Sequence, residues 1–233
     1  MKKKVIAVIL ARSGSKRFPN KVLKKLSLNG PLVIEYIIEK IKKCKNIEKI
    51  VLATSKNSAD DIIVRIAKEK KILAFRGSET NVLDRLIRAS TFTKKKYKYI
   101  VRANADCPFF MPHILDLTIK KFIKSKKDLY SPFYDKKYPF GFSFCIFKIE
   151  TLLKIKKLTS KKKYLEHIEN FCFDNMNLFK ILKIKKDKYH LPNLKLTLDT
   201  PKDFIKLKKI YKKIKMIKYN DQPLFLINLF KQK

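Results

Sequence analysis

Six consecutive apolar residues, Val5-Ile6-Ala7-Val8-Ile9-Leu10, constrain the fold of this chain more than any other feature. A strand with no polar alternation cannot leave one face in water, so it predicts a parallel sheet with helices on both sides. The run leads directly into Ala11-Arg12-Ser13-Gly14-Ser15-Lys16-Arg17-Phe18-Pro19-Asn20-Lys21, which has four cations and no carboxylate. Such a loop at the end of a first strand suits a polyphosphate. Backbone N–H groups near Gly14 approach phosphate closely, and Arg12 and Lys21 neutralise it.

The rest of the chain repeats the pattern. Pro31–Lys43 carries Leu32, Ile34, Ile37, Ile38 and Ile41 on one helical face, with Pro31 at the first helical position. Lys49–Ala53 predicts a second strand, and Ser58 with Asp61 predicts a capped helix reaching about Lys70. Ile72–Phe75 is a third strand, Asn81–Phe92 a helix, Tyr99–Ala103 a fourth strand, and Pro112 opens a helix through about Lys124. This alternation specifies an α/β, Rossmann-like, doubly wound and mostly parallel sheet. The aromatic segment Leu129–Phe147, with Pro132, Pro139 and Gly141, predicts a small antiparallel hairpin insertion. A helical stretch follows near Tyr164–Asp174, then strands at Phe179–Ile184 and Leu194–Leu198. Thr200, Pro201 and Asp203 form a capping box for another helix, and Pro223–Phe230 is a short amphipathic piece. One domain spanning 1–233 is expected, with residues 129–190 serving the acceptor and a homodimer contact.

The formal charge of +37 invites a nucleic-acid reading, but of 57 basic residues only seven are arginines. The lysines fall in separate runs, at 24–25, 42–43, 94–96 and 161–163. Nucleic-acid binders concentrate charge on one stripe, with arginines or aromatics that reach bases, so no specific nucleic-acid partner is expected. The lysines flanking Val5–Ala11 look superficially like a secretory leader, but Arg12, Lys16 and Arg17 follow at once and a buried strand explains the run better. No run is long enough for a transmembrane segment. Cys44, Cys107, Cys145 and Cys172 lack metal or redox spacing, which predicts reduced thiols and a cytoplasmic protein.

In open α/β sheets ligands bind beyond the carboxyl ends of the strands. The unusual polar clusters fall there: Arg12–Lys21, Thr54-Ser55, Arg76-Gly77-Ser78, Asn104–Asp106 and Asp199. Asp106 and Asp199, facing a polyphosphate, make a reasonable Mg2+ site, because magnesium prefers carboxylate and phosphate oxygens. A Walker loop and a dinucleotide fingerprint are both absent, and no Asp-x-Asp follows the fourth strand.

These residues resemble a known family. The loop 11–21, then Arg76-Gly77-Ser78-Glu79 with Val82-Leu83-Asp84-Arg85, Asp106-Cys107-Pro108, Glu166-His167 and Leu196-Thr197-Leu198-Asp199-Thr200-Pro201 are similar, in order, to the SpsF-like cytidylyltransferases. Those enzymes of spore coat polysaccharide biosynthesis are related to the CMP-sialic acid and CMP-Kdo synthetases. The resemblance implies transfer of CMP from CTP to an acidic sugar, with magnesium and release of pyrophosphate. It implies catalytic roles for Arg12 and Lys21, and nucleotide binding by Ala11, Arg12, Ser13, Gly14, Ser15, Lys21, Thr54, Arg76, Ser78, Arg85 and Asn104. It places Tyr138, Glu166 and His167 on the sugar side, and Asp106 and Asp199 on the metal. Asn81, Ala105, Phe140, Ser143 and Cys145 depart from the family pattern. Two other readings stay open: a nucleotidyltransferase with another base or a non-sugar acceptor, and a degenerate basic binding protein on this fold.

Overall fold

The computed structural model describes residues 5–135, 140–184 and 195–216. Seven strands form one sheet in the order β3-β2-β1-β4-β6-β5-β7. The first four are β1 Val5–Leu10, β2 Lys49–Ser55, β3 Leu73–Gly77 and β4 Tyr99–Asn104, all parallel to one another. Strand β5 Leu129–Tyr130 pairs antiparallel with β6 Cys145–Lys148, which pairs antiparallel with β4; β7 Ile181–Leu182 pairs parallel with β5. The expected antiparallel pair is therefore built into the sheet. Chain order reverses around β1 and β4, where Leu10 lies opposite Asn104. That is the switch point at which such sheets open a crevice.

Strand β1 is buried along its whole length, and alternate residues serve two cores. Val5, Ala7 and Ile9 pack with α1 Val33–Lys42, α2 Asp61–Glu69, α4 Pro112–Ser125 and α9 Pro201–Met216. Ile6, Val8 and Leu10 pack with α3 Val82–Thr91, α6 Ile149–Leu158, α7 Lys162–Glu166 and α8 Ile168–Asp174. The remaining helix, α5 Pro132–Asp135, interrupts the hairpin between β5 and β6.

Three local expectations shift. Helix α1 begins at Val33 because Leu32 is extended and bridges antiparallel to Lys25, the Pro31 carbonyl accepting from Leu26 N at 3.0 Å. Before α2, Asn57 caps a 3-10 turn, Ser58–Asp60, by accepting from Ala59 N; Ser58 is not the cap. The segment 195–199 is extended, not a strand. Its backbone bonds go singly, from Leu196 N to the Phe140 carbonyl and from Leu198 N to the Asp106 carbonyl. Tyr138, Leu194 and Pro223–Phe230 lie outside the described residues.

Candidate active site

The basic loop leaves β1 at the switch point, and the chain folds it around one buried acid. Asp60 accepts five hydrogen bonds, from Ser13 N and Oγ, Thr54 Oγ, and Ser55 N and Oγ. Burial alone would raise its pKa; the bonds from Ser13, Ser55 and Thr54 outweigh burial and hold it at about 2. The Ser13 carbonyl accepts from Ser15 N at 2.8 Å and Asn20 N at 3.0 Å, closing the loop on itself. Ala11 continues the β1 ladder by donating to the Ala53 carbonyl. Ser13 and Thr54 thus anchor the loop from beneath. Arg12, Gly14 and Ser15 form its outer side, where a Cβ on Gly14 would meet only Glu79 Oε1, at 3.4 Å. Arg12 itself is partly exposed, 3.6 Å from that same carboxylate.

Lys21 sits at the far end of the loop and joins two distant parts of the chain. Its Nζ donates to Asp106 Oδ2 and to the Leu198 carbonyl, each at 2.7 Å, and lies 3.7 Å from Asp199 Oδ1. The two aspartates singled out from sequence are therefore brought to one ammonium. Asp199 also meets Lys195 at 2.9 Å, Arg17 at 3.0 Å and Thr197 Oγ at 3.1 Å. Burial raises its pKa, but the bond from Lys195 and the charge of Lys21 bring it below the usual carboxylate range. Asp203 closes the capping box with Thr200 and accepts from Asp199 N, which fixes the backbone under this acid. Carboxylate oxygens of this kind suit a hard, oxygen-preferring cation. Among the described residues no group of three or more His, Cys, Asp and Glu could hold a metal, so phosphate and water would supply the remaining ligands. Cys107 lies beside Asp106, but burial pushes its thiol well up, so it is no ready nucleophile.

The other wall comes from β3 and α3. Arg85 is 3% exposed and donates to the carbonyls of Ser78 and Glu79. Its Nε is buried without a hydrogen-bond partner among the described residues. Burial and then repulsion from Arg12 lower its pKa to about 10, which leaves it charged at neutral pH. Gly77 makes room for it, since a Cβ there would stand 2.9 Å from Arg85 Cγ. Ser78 Oγ accepts from Asn81 N, and Asn81 caps α3 through Asp84 N. Arg76 turns outward to Asp61 and to the carbonyls of Ser55 and Asn57, bracing the turn before α2. Asn104 ends β4, its carbonyl accepting from Cys107 N.

Glu166 and His167 are exposed at the junction of α7 and α8. The acid buried there is Glu169, paired with Arg102 of β4, which also donates to the Glu166 carbonyl at 3.2 Å. Sequence reasoning passed over Asp60, Glu169 and Arg102. For Asp60 a signal existed: three buried hydroxyl residues at strand ends need an acceptor, and the acids at 60 and 61 stand nearest.

A family described as Cytidylyltransferase matches residues 6–229. This chain belongs to the cytidylyltransferase family. An uncharacterized protein of Methanocaldococcus jannaschii is 35% identical over 202 residues, covering 86% of this chain and 80% of that protein. The spore coat polysaccharide biosynthesis protein SpsF of Bacillus subtilis is 27% identical over 90% of this chain and 87% of its own. A cytidylyltransferase of known structure from Leptospira borgpetersenii superposes with a TM-score of 0.89 at 26% identity, covering 98% of this chain and 94% of that one. The resemblance to SpsF-like cytidylyltransferases therefore holds across nearly the whole chain, on a nucleotidyltransferase fold. Among the described residues no helix is long and apolar enough to cross a membrane.

Proposed function

We propose that the protein transfers CMP from CTP to an acidic sugar, releasing pyrophosphate, as a step of surface polysaccharide synthesis. The observation that carries this reading is Lys21, set between Asp106 and Asp199 at the end of a basic loop at the switch point. Membership of the cytidylyltransferase family supplies the base. SpsF, by its name a protein of spore coat polysaccharide biosynthesis, supports the sugar side.

In this reading the triphosphate lies along Arg12, Gly14, Ser15 and Lys21, with Ala11 and Ser13 shaping the loop and Thr54 bracing it through Asp60. The cytosine ring lies toward Ser78, Arg85 and Asn104, with Arg76 stiffening that wall. Asp106 and Asp199 would hold a magnesium ion, which when bound would supply charge neutralisation on the phosphates. Glu166 and His167 face the acceptor. A sugar hydroxyl attacks the α-phosphorus in line, forming one O–P bond as the bond to the β-phosphate oxygen breaks; pyrophosphate leaves and the hydroxyl proton passes to solvent water. Positioning and charge neutralisation do most of the work in such transfers. Loss of Arg12 or Lys21 should cost about 10²–10³-fold in rate.

The test is thermal stabilisation by CTP, ATP, GTP and UTP with magnesium, followed by pyrophosphate release with a panel of sugar acids. A larger shift for CTP, lost in Arg12→Ala, and release that needs a sugar acid support the proposal. Equal shifts for the four nucleotides would overturn it.

A further inference from the structure

The ammonium of Lys21 has two claims on it. The reading above gives it to the phosphates of CTP, and the inference here rests on that reading. In the protein alone it is fully engaged elsewhere, with Asp106 and the Leu198 carbonyl at 2.7 Å and Asp199 at 3.7 Å, and its side chain is only 12% exposed. An ammonium has three N–H donors and no acceptor, so a site centred on it repels other cations. Lys195 and Arg17 add two more positive charges around Asp199. The carboxylate pair thus has a resident counter-ion already, and too few donors of its own to outcompete it for a divalent ion.

We propose that Lys21 holds the Asp106–Asp199 pair closed to free divalent metal. A nucleoside triphosphate draws its ammonium away, so that metal enters with or after the nucleotide and not before it. The root of the side chain is fixed, because Lys21 opens a 3-10 turn behind Asn20, which is in the left-handed conformation (φ 56°). The four-carbon stem beyond that root is free to redirect a point charge, which a planar guanidinium does poorly. The order has a chemical use. Metal that arrives with the triphosphate finds oxygens from both, which is the mixed set magnesium prefers.

The experiment measures Mn2+ binding by electron paramagnetic resonance in wild type, Lys21→Met, Lys21→Arg and the double variant Lys21→Met with Asp106→Asn. Each protein is first shown to unfold cooperatively. Without nucleotide, Lys21→Met should bind Mn2+ at least tenfold more tightly than wild type. Lys21→Arg, which keeps the charge, should show no gain, and the double variant should lose it. Saturating α,β-methylene-CTP, corrected for Mn2+ held by the free analogue, should raise the affinity of wild type at least tenfold. Equal Mn2+ affinity of wild type and Lys21→Met without nucleotide would overturn the proposal, as would a wild-type affinity unmoved by the analogue. CTP binding in the presence of magnesium is read separately. Its failure overturns the cytidylyltransferase reading, while the nucleotide-free comparison still decides whether Lys21 guards the pair.

Discussion

At the scale of single residues, Asp60 shows how the basic loop after β1 is held in shape from beneath. Its two oxygens take bonds from three residues on two segments, Ser13 on the loop and Thr54 and Ser55 at the end of β2. Asp60→Asn keeps the shape but turns one acceptor into an amide NH2 that faces a backbone N–H donor, of Ser13 or of Ser55. Charge-assisted buried bonds are worth about 1.5–3 kcal/mol each, so the variant should lose on the order of 3 kcal/mol in urea unfolding. The pH dependence has a definite sign. The folded pKa is below the unfolded one, so this stability is fully present above about pH 4 and is lost as pH falls toward about 2. Wild type should therefore weaken over that window more steeply than Asp60→Asn; parallel curves would remove Asp60 from the account. Residues on loops at strand ends, such as Arg12, Lys21, Asp106 and Asp199, were legible because their type and position are both unusual. Asp60 left only the fainter signal of hydroxyls at 13, 54 and 55 in need of an acceptor, because those partners meet only when β1 and β2 are side by side.

At the scale of elements, two contacts fix the walls of the site. Arg102 on β4 and Glu169 on α8 form an ion pair buried on both sides. Burial works against the charge on Arg102, and Glu169 keeps it protonated. Removing one partner of such a pair leaves a charge uncompensated, so Glu169→Gln should destabilise by about 3–5 kcal/mol. Replacing both with apolar residues should cost less than the single change, which a double-mutant cycle in denaturant would read directly. At α3 the cap is Asn81, whose Oδ1 accepts from Asp84 N at 2.8 Å. Asn81→Ala should cost about 1 kcal/mol, and Asn81→Asp close to nothing, since both acids and amides cap well. Arg85 stands on the first turn of that helix, so Asn81→Ala should also weaken CTP affinity; unchanged affinity would separate cap from pocket. Strand and helix order was readable from periodicity. The boundaries at Leu32 and Asn57 moved because local caps win there, Glu35 accepting from Leu32 N and Asn57 from Ala59 N; 195–199 moved because its backbone bonds go singly to the distant carbonyls of Phe140 and Asp106.

At the scale of the whole molecule, alternation along the chain specified layers but not the order of the strands within the sheet. Nothing in the sequence says that β6 lies between β4 and β5, because that order depends on which edge the chain returns to after α4. The charge of +37 is also a property of the whole molecule, and it predicts rate and affinity without predicting specificity. Lysines on every exposed face raise the local concentration of any anion, and salt screens that attraction over about 8 Å at physiological ionic strength. Selection of cytosine, by contrast, would come from close contacts around Ser78 and Arg85, where Arg85 is buried and screening is weak. Raising salt from 50 to 500 mM should therefore weaken CTP and ATP binding together, on the order of tenfold, and leave their affinity ratio nearly constant. Arg85→Met should do the reverse, lowering the ratio while leaving the salt slope nearly unchanged. If salt instead erased the preference for CTP, base selection would belong to the basic surface, and the pocket formed by β3 and α3 would have no part in it.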